Sequence, residues 1–272
     1  MQKIVLFLFL VFFVGSTYAA KVDTVSIYSA SMKKNTRCVI ITPDSYQKNS
    51  RNNYPVLYLL HGYSDNYSGW VTKAPNLKKS ADENNIIVVC PDGGFSSWYF
   101  DSPVNDSFRY ETHITREVLE YTDKNYRTVK DRKGRAVAGL SMGGHGALYL
   151  AIKHKELFSA AISLSGGVDF TPFPASWDIA KRLGDYQTHR DRWVQHTAQY
   201  LVHQLNNKDL NIVLDCGVDD FFIDVNRILH QTLTGLKIDH EYIERPGKHN
   251  WDYWNNAIQF QMYYLKQHFN KQ

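Results

Sequence analysis

A strand-like apolar run, Arg135–Leu140, gives way to a helix-forming run, Met142–Lys153, with Ser141 alone between them. A junction that short must be a sharp bend carrying a strand directly into a helix folded back against it. The flanking residues suit such a bend. Gly139-Leu140-Ser141-Met142-Gly143-Gly144 places small residues where backbones have to pass close to one another. A strand that feeds a helix at once belongs to a sheet whose faces are covered by helices.

The rest of the chain is compatible with that demand. Short β-rich runs alternate with helical ones, without internal repeats or low-complexity linkers. Val22–Ser29 and Arg37–Thr42 read as an opening pair of strands, and Pro55–Leu60 and Ile86–Cys90 are apolar as strands buried on both faces are. Thr112–Tyr126 carries Ile114, Val118, Leu119 and Tyr121 at helical spacing. Ser159–Leu164 and Asn211–Cys216 predict further strands, Val225–Leu236 a helix, His240–Glu244 a last strand and Trp251–Phe269 a closing helix. The expected class is α/β, a mostly parallel central sheet with helices on both faces, in which ligands bind at the carboxyl ends of the strands. Thr171–Asn207 fits the alternation poorly and reads as an insertion beside the site, a cap or one wall of the pocket.

The first twenty residues read as a segment apart from the domain, which then spans 21–272. Lys3 precedes the unbroken apolar stretch Ile4–Val14, and Gly15-Ser16-Thr17-Tyr18-Ala19-Ala20 supplies small residues for cleavage. That is the pattern of a secretory signal peptide, with an uncleaved anchor as the alternative. The apolar stretch is short for a membrane span, and no later segment approaches one. An exported chain without a membrane span is the expectation. The formal net charge of +4 is spread along the chain with no dense Lys/Arg block, so a nucleic-acid partner is not expected. Cys38, Cys90 and Cys216 match no zinc spacing. Burial as free thiols is expected, with one disulfide left open in an oxidising compartment. No metal or cofactor is implied.

The tight strand–turn–helix is the setting of a nucleophile elbow, which holds a serine oxygen out at the top of a sheet. Serine needs a base within hydrogen-bond reach, itself oriented by a carboxylate, and in this setting the chain order is serine, acid, histidine. Asp220 follows the strand Asn211–Cys216, and His249 lies between the last strand and the last helix. Asp219 is adjacent and Asp215 lies on the strand, so the acid is open between neighbours. Asp224 is better placed as a helix cap. His145, one turn below Ser141, is expected to point down the helix flank into packing. The remaining histidines, apart from His61, show no partner pattern. Acyl transfer also needs N–H donors for an oxyanion. Met142, after the serine, is one candidate. Tyr63, in Leu59-Leu60-His61-Gly62-Tyr63 after an early strand, is the other.

Together these residues resemble the esterase group that includes S-formylglutathione hydrolase (esterase D), tributyrin esterases, carbohydrate esterase family one and the mycobacterial mycolyltransferases. The resemblance rests on an ordered series: Leu-Leu-His-Gly at 59–62, Pro-Asp-Gly-Gly at 91–94 and Trp-Tyr at 98–99. Gly-Leu-Ser-Met-Gly-Gly-His-Gly-Ala-Leu at 139–148, Cys-Gly-x-x-Asp-Phe-Phe at 216–222 and Pro-Gly-x-His-x-Trp-x-x-Trp at 246–254 complete it. It implies an α/β-hydrolase fold, with nucleophile Ser141, acid Asp220 and base His249, and supports Tyr63 and Met142 as oxyanion donors. It implies hydrolysis of acyl esters without a cofactor. The export signal favours the carbohydrate-esterase branch, with feruloyl or acetyl groups on plant polysaccharide as substrate. The alternatives are acyl transfer to a sugar alcohol, as in the mycolyltransferases, and a thioesterase like S-formylglutathione hydrolase. His61, Trp98, Tyr99, Trp251 and Trp254 are the candidate substrate contacts.

Overall fold

The computed structural model describes residues 20–272, so the signal-peptide reading of residues 1–20 falls almost wholly outside the described residues. Eight strands form one sheet in the order β1-β2-β4-β3-β5-β6-β7-β8. They are β1 (Lys21–Ser29), β2 (Lys34–Thr42), β3 (Val56–Leu60), β4 (Ile87–Pro91), β5 (Arg135–Leu140), β6 (Ala160–Leu164), β7 (Asn211–Gly217) and β8 (His240–Arg245). The pairs β1/β2 and β2/β4 are antiparallel, and every other neighbouring pair is parallel. The principal helices are α1 (Asn76–Asn84), α2 (residues 110–125, with a π-helical middle at His113–Val118), α3 (Met142–Lys153), α4 (Ile223–Gly235) and α5 (Trp251–Asn270).

Alternation along each central strand decides which layer a residue joins. Tyr58 and Leu60 of β3, Val137 of β5, and Ile212 and Leu214 of β7 face one core, packed against Ile114 and Val118 of α2, Leu148 of α3 and Leu229 of α4. Leu57, Leu59, Ala138, Ile162 and Val213 face the other, packed against Leu77 of α1 and Ile258, Met262 and Leu265 of α5. β3 to β6 are buried along their whole length because both faces are covered, which is why their sequences do not alternate in polarity. Cys38 joins the first core and Cys90 the second, and all three cysteines are buried free thiols.

Within α3, His145 points down the flank as expected. Its Nε2 donates to the carbonyl of His196 at 2.8 Å, and the rings of Trp98, Phe100, Tyr149 and Phe170 surround it. Burial disfavours the charged ring and pulls its pKa down from 6.5 to about 4. Between those values the unfolded chain binds a proton that the folded chain refuses. Stability is therefore whole above pH 6.5 and falls as the pH drops toward 4, by about 3 kcal/mol in all. Denaturant melts of the wild type and His145→Gln from pH 7 to pH 4.5 should show the variant losing stability less steeply, by about 1 kcal/mol per pH unit. Parallel slopes would refute the assignment.

Candidate active site

The bend between β5 and α3 is built as the sequence demands. Ser141 adopts φ 54° and ψ −117°, a region costing a non-glycine residue about 1–3 kcal/mol and persisting only where packing enforces it. Its N–H donates to the Leu164 carbonyl at 2.9 Å, while its own carbonyl accepts from His145 N–H at 3.1 Å and Gly167 N–H at 3.2 Å. Gly143 lets α3 press onto the end of β3. A Cβ there would sit 2.5 Å from the Leu60 carbonyl oxygen and 2.6 Å from that of His61. The bend leaves the serine half-buried at the carboxyl edge of the sheet.

Two loops from the same edge bring the other groups to it. His249, between β8 and α5, places Nε2 2.9 Å from Ser141 Oγ, and its Nδ1 lies 2.8 and 3.0 Å from the two oxygens of Asp220. Asp220 is 2% exposed and also accepts from Phe222 N–H at 2.9 Å. An ionised carboxylate can only accept, so Nδ1 carries the proton and Nε2 is free to take one from the serine. Asp219 is exposed, and Asp215 is fully buried on β7 with its oxygens occupied by Tyr253, Gln261 and Arg245. Asp224 lies in the first turn of α4, where it pairs with Arg227. The cap position belongs to Phe222, so Asp224 complements the helix dipole instead of capping.

Met142 opens α3, so its N–H has no intrahelical partner. Tyr63 follows β3, and its amide and that of Met142 are both unspent on other groups among the described residues. The chain at 61–63 is set from behind. Gly93 N–H donates to His61 Nε2 at 2.7 Å, His61 Nδ1 donates to the Gly62 carbonyl at 2.8 Å, and Tyr99 OH donates to the His61 carbonyl at 3.0 Å. Trp98 packs against His145 and Phe170 and donates its indole N–H to the Trp177 carbonyl at 3.2 Å. His61, Trp98 and Tyr99 are each at most 1% exposed. This corrects their expected role as substrate contacts. The polar atoms of His61 and Tyr99 are consumed in fixing the loop that carries Tyr63, that of Trp98 bonds the Trp177 carbonyl, and none of the three lines the cavity.

That cavity, about 270 Å³, is lined by Tyr63, Leu140, Ser141, Trp177, Phe221, His249, Trp251 and Trp254, with Asp65 and Lys73 at one side. Trp251 and Trp254 therefore do reach it. Trp177 and Phe221 line it as well, beyond the contacts the sequence offers. Phe221 lies with its ring 4.2 Å from the His249 ring and nearly parallel to Trp177 (16°, 6.0 Å). The signal for Phe221 was its place directly after the acid in Cys-Gly-x-x-Asp-Phe-Phe. Trp177 is where the 171–207 insertion supplies one wall, with no sequence pattern to mark it. Lys73 pairs with Asp65 at 3.2 Å and lies over the Trp251 ring at 5.3 Å.

A second serine–histidine contact tests whether proximity alone makes a nucleophile. Ser159 Oγ lies 2.9 Å from His268 Nε2, beside a larger groove of about 900 Å³ at the opposite end of the sheet. There Asn211 Nδ2 donates to His268 Nδ1 at 2.8 Å, so the ring proton sits on Nε2, directed at Ser159, whose own hydrogen goes to the Arg135 carbonyl at 3.1 Å. The Gln272 amide, 3.2 Å from Nε2, turns its oxygen to it. The proton points the wrong way for base catalysis. Asp220 reverses that polarity at Ser141. No group of three or more His, Cys, Asp or Glu side chains among the described residues is arranged to hold a metal ion.

A hydroxyl, imidazole and carboxylate aligned over a strained serine bend, on a mostly parallel sheet clad with helices, define an α/β-hydrolase, and its chemistry is that of a carboxylic ester hydrolase. Residues 29–263 match the family described as "Putative esterase", and the chain belongs to that family. It is 30% identical over 253 residues to an acetyl esterase of Caldicellulosiruptor saccharolyticus, covering 86% of this chain and 94% of that one. It is 28% identical to a diacylglycerol acyltransferase/mycolyltransferase of Mycobacterium gordonae, covering 92% and 84% of the two chains. A solved ferulic acid esterase superposes with a TM-score of 0.80 at 28% identity, over 93% of this chain and 99% of its own.

Proposed function

We propose that this protein is an exported serine esterase that removes feruloyl or acetyl groups from plant polysaccharide, with Ser141 as nucleophile. His249 takes the Ser141 proton as the oxygen attacks the ester carbonyl. The Met142 and Tyr63 amides meet the oxyanion, and the imidazolium, held by Asp220, returns its proton to the leaving alcohol. Water then repeats the sequence on the acyl-enzyme. The observation that carries this reading is the alignment at His249, whose Nδ1 lies 2.8 Å from Asp220 and whose Nε2 lies 2.9 Å from Ser141 Oγ. The aromatic walls Trp177, Phe221 and Trp251 favour a flat acyl or sugar ring. Relatives named acetyl esterase and ferulic acid esterase support that substrate class. The leader-like residues 1–20 support export.

A panel of acetyl, butyryl and feruloyl esters, acetylated and feruloylated xylan, and a glutathione thioester tests the reading. Acetate or ferulate released from xylan, at a kcat/KM at least about ten-fold above that for the thioester, is the expected result. A thioester preference with no release from xylan would contradict it. The mycolyltransferase relative favours a second reading, in which the same acyl-enzyme passes its group to an alcohol. Product analysis with added sugar acceptor separates the two. Free acid should predominate, and acyl-sugar as the main product at low acceptor concentration would establish transfer instead.

A further inference from the structure

The loop that carries His249 is held at both ends by one buried carboxylate outside the relay. Asp215 lies on β7 with no exposure, on the face toward α5. Its Oδ2 accepts from the Arg245 guanidinium and from Gln261 Nε2 at 2.6 Å, and its Oδ1 accepts from Tyr253 OH at 2.5 Å. Arg245 is the last residue of β8, four before His249. Tyr253 is in the first turn of α5, four after it.

Both contacts act on the loop backbone. The Tyr253 ring lies under Gly247, where a Cβ would come within 2.3 Å of Tyr253 Cδ2, so the ring sets the height of the chain two residues before the imidazole. The Gly247 carbonyl accepts from Asp219 N–H at 2.9 Å, and the Arg245 carbonyl accepts from Val218 N–H at 2.9 Å. The loop bearing the acid is thereby tied to the loop bearing the base. A second connection leaves the Asp215 backbone: its carbonyl accepts from Ser165 N–H at 2.8 Å, and Ser165 Oγ accepts from Trp254 Nε1 at 3.1 Å. The Trp254 ring meets the His249 ring edge-on at 4.9 Å. A carboxylate with three donors is far costlier to bury than an apolar side chain, so its presence in the α5-side core calls for such a role.

We propose that Asp215 is a positioning residue for the reaction, acting through Arg245 and Tyr253 to fix the height and angle of the His249 loop. This rests on Ser141 and His249 acting as proposed above. Displacement of a base by a fraction of an ångström reduces turnover more than it reduces binding. Tyr253→Phe is the discriminating variant, because it keeps the ring under Gly247 and removes only the hydroxyl that Asp215 holds. Asp215→Asn is its companion.

Both should be compared with wild type by kcat per titrated active site, KM, melting temperature, and the downfield proton resonance of the Asp220–His249 hydrogen bond. The expected result is a kcat lower by about ten-fold with KM within about two-fold, a broadened or shifted resonance, and a double variant little worse than Asp215→Asn alone. Unchanged kcat per titrated site and an unchanged resonance in Tyr253→Phe, whatever happens to the melting temperature, would overturn the proposal. A wild-type chain that neither hydrolyses ester nor takes up a serine-directed phosphonate would overturn the esterase reading itself, and the proposal with it.

Discussion

Ser141→Ala should reduce turnover of short nitrophenyl esters by about a million-fold, to the residue left by binding and oxyanion donors alone. The loss is that large because the hydroxyl is both the attacking atom and the carrier of the proton His249 receives, so nothing else at the bend can take over either task. The fold should survive. Ser141 contributes strain to the native state through its φ of 54°, and alanine keeps the backbone bonds to Leu164, His145 and Gly167 that hold the bend. Far-UV circular dichroism and the melting temperature should stay near wild type while activity vanishes. Turnover within about a hundred-fold of wild type would show that another nucleophile operates.

Asp220→Asn should cost about 10⁴-fold in kcat with the geometry intact. The reason is tautomeric. Phe222 N–H already donates to Oδ1 at 2.9 Å, so an asparagine must keep its oxygen there and turn its amide nitrogen toward His249. That nitrogen donates to Nδ1 and moves the ring proton to Nε2, where it faces Ser141 and cannot accept. The same chain contains that arrangement at Asn211, His268 and Ser159. Asp219→Asn is the control, since Asp219 is exposed and touches the base loop only through its backbone. A kcat for Asp219→Asn within about two-fold of wild type is expected. An equal loss in both variants would place the acid wrongly.

Much of this arrangement was legible because local chemistry and global fold demand the same residues. A strand with no loop before its helix can only end in a tight bend, and the bend dictates small neighbours, as at Gly143. Strands buried on both faces appear as unbroken apolar runs, so β3 to β6 are legible almost to their ends. The loop histidine was legible because it sits between a last strand and a last helix. Less regular segments were not. The helix Asn76–Asn84 leaves no mark in the sequence because it buries only Leu77, Ser80 and Ala81, too narrow a stripe to impose a period. Trp177 reaches the cavity from a segment of short helices whose path depends on tertiary packing. The sequence suggests substrate contacts at His61, Trp98 and Tyr99 because aromatic and imidazole groups near a site favour contact. In the folded chain the polar atoms of His61 and Tyr99 turn inward to bond the 61–63 loop, and the Trp98 indole bonds the Trp177 carbonyl.

The central claim is that one hydroxyl becomes covalently acylated, and that a single imidazole activates it. Intact-mass and peptide mass spectrometry after acid quench of a slowly deacylating ester measures this directly. One acyl group per chain should appear on the peptide holding Ser141, and it should be absent on the same timescale from His249→Ala. An acyl group found elsewhere, or undiminished acylation of Ser141 without the imidazole, would contradict it.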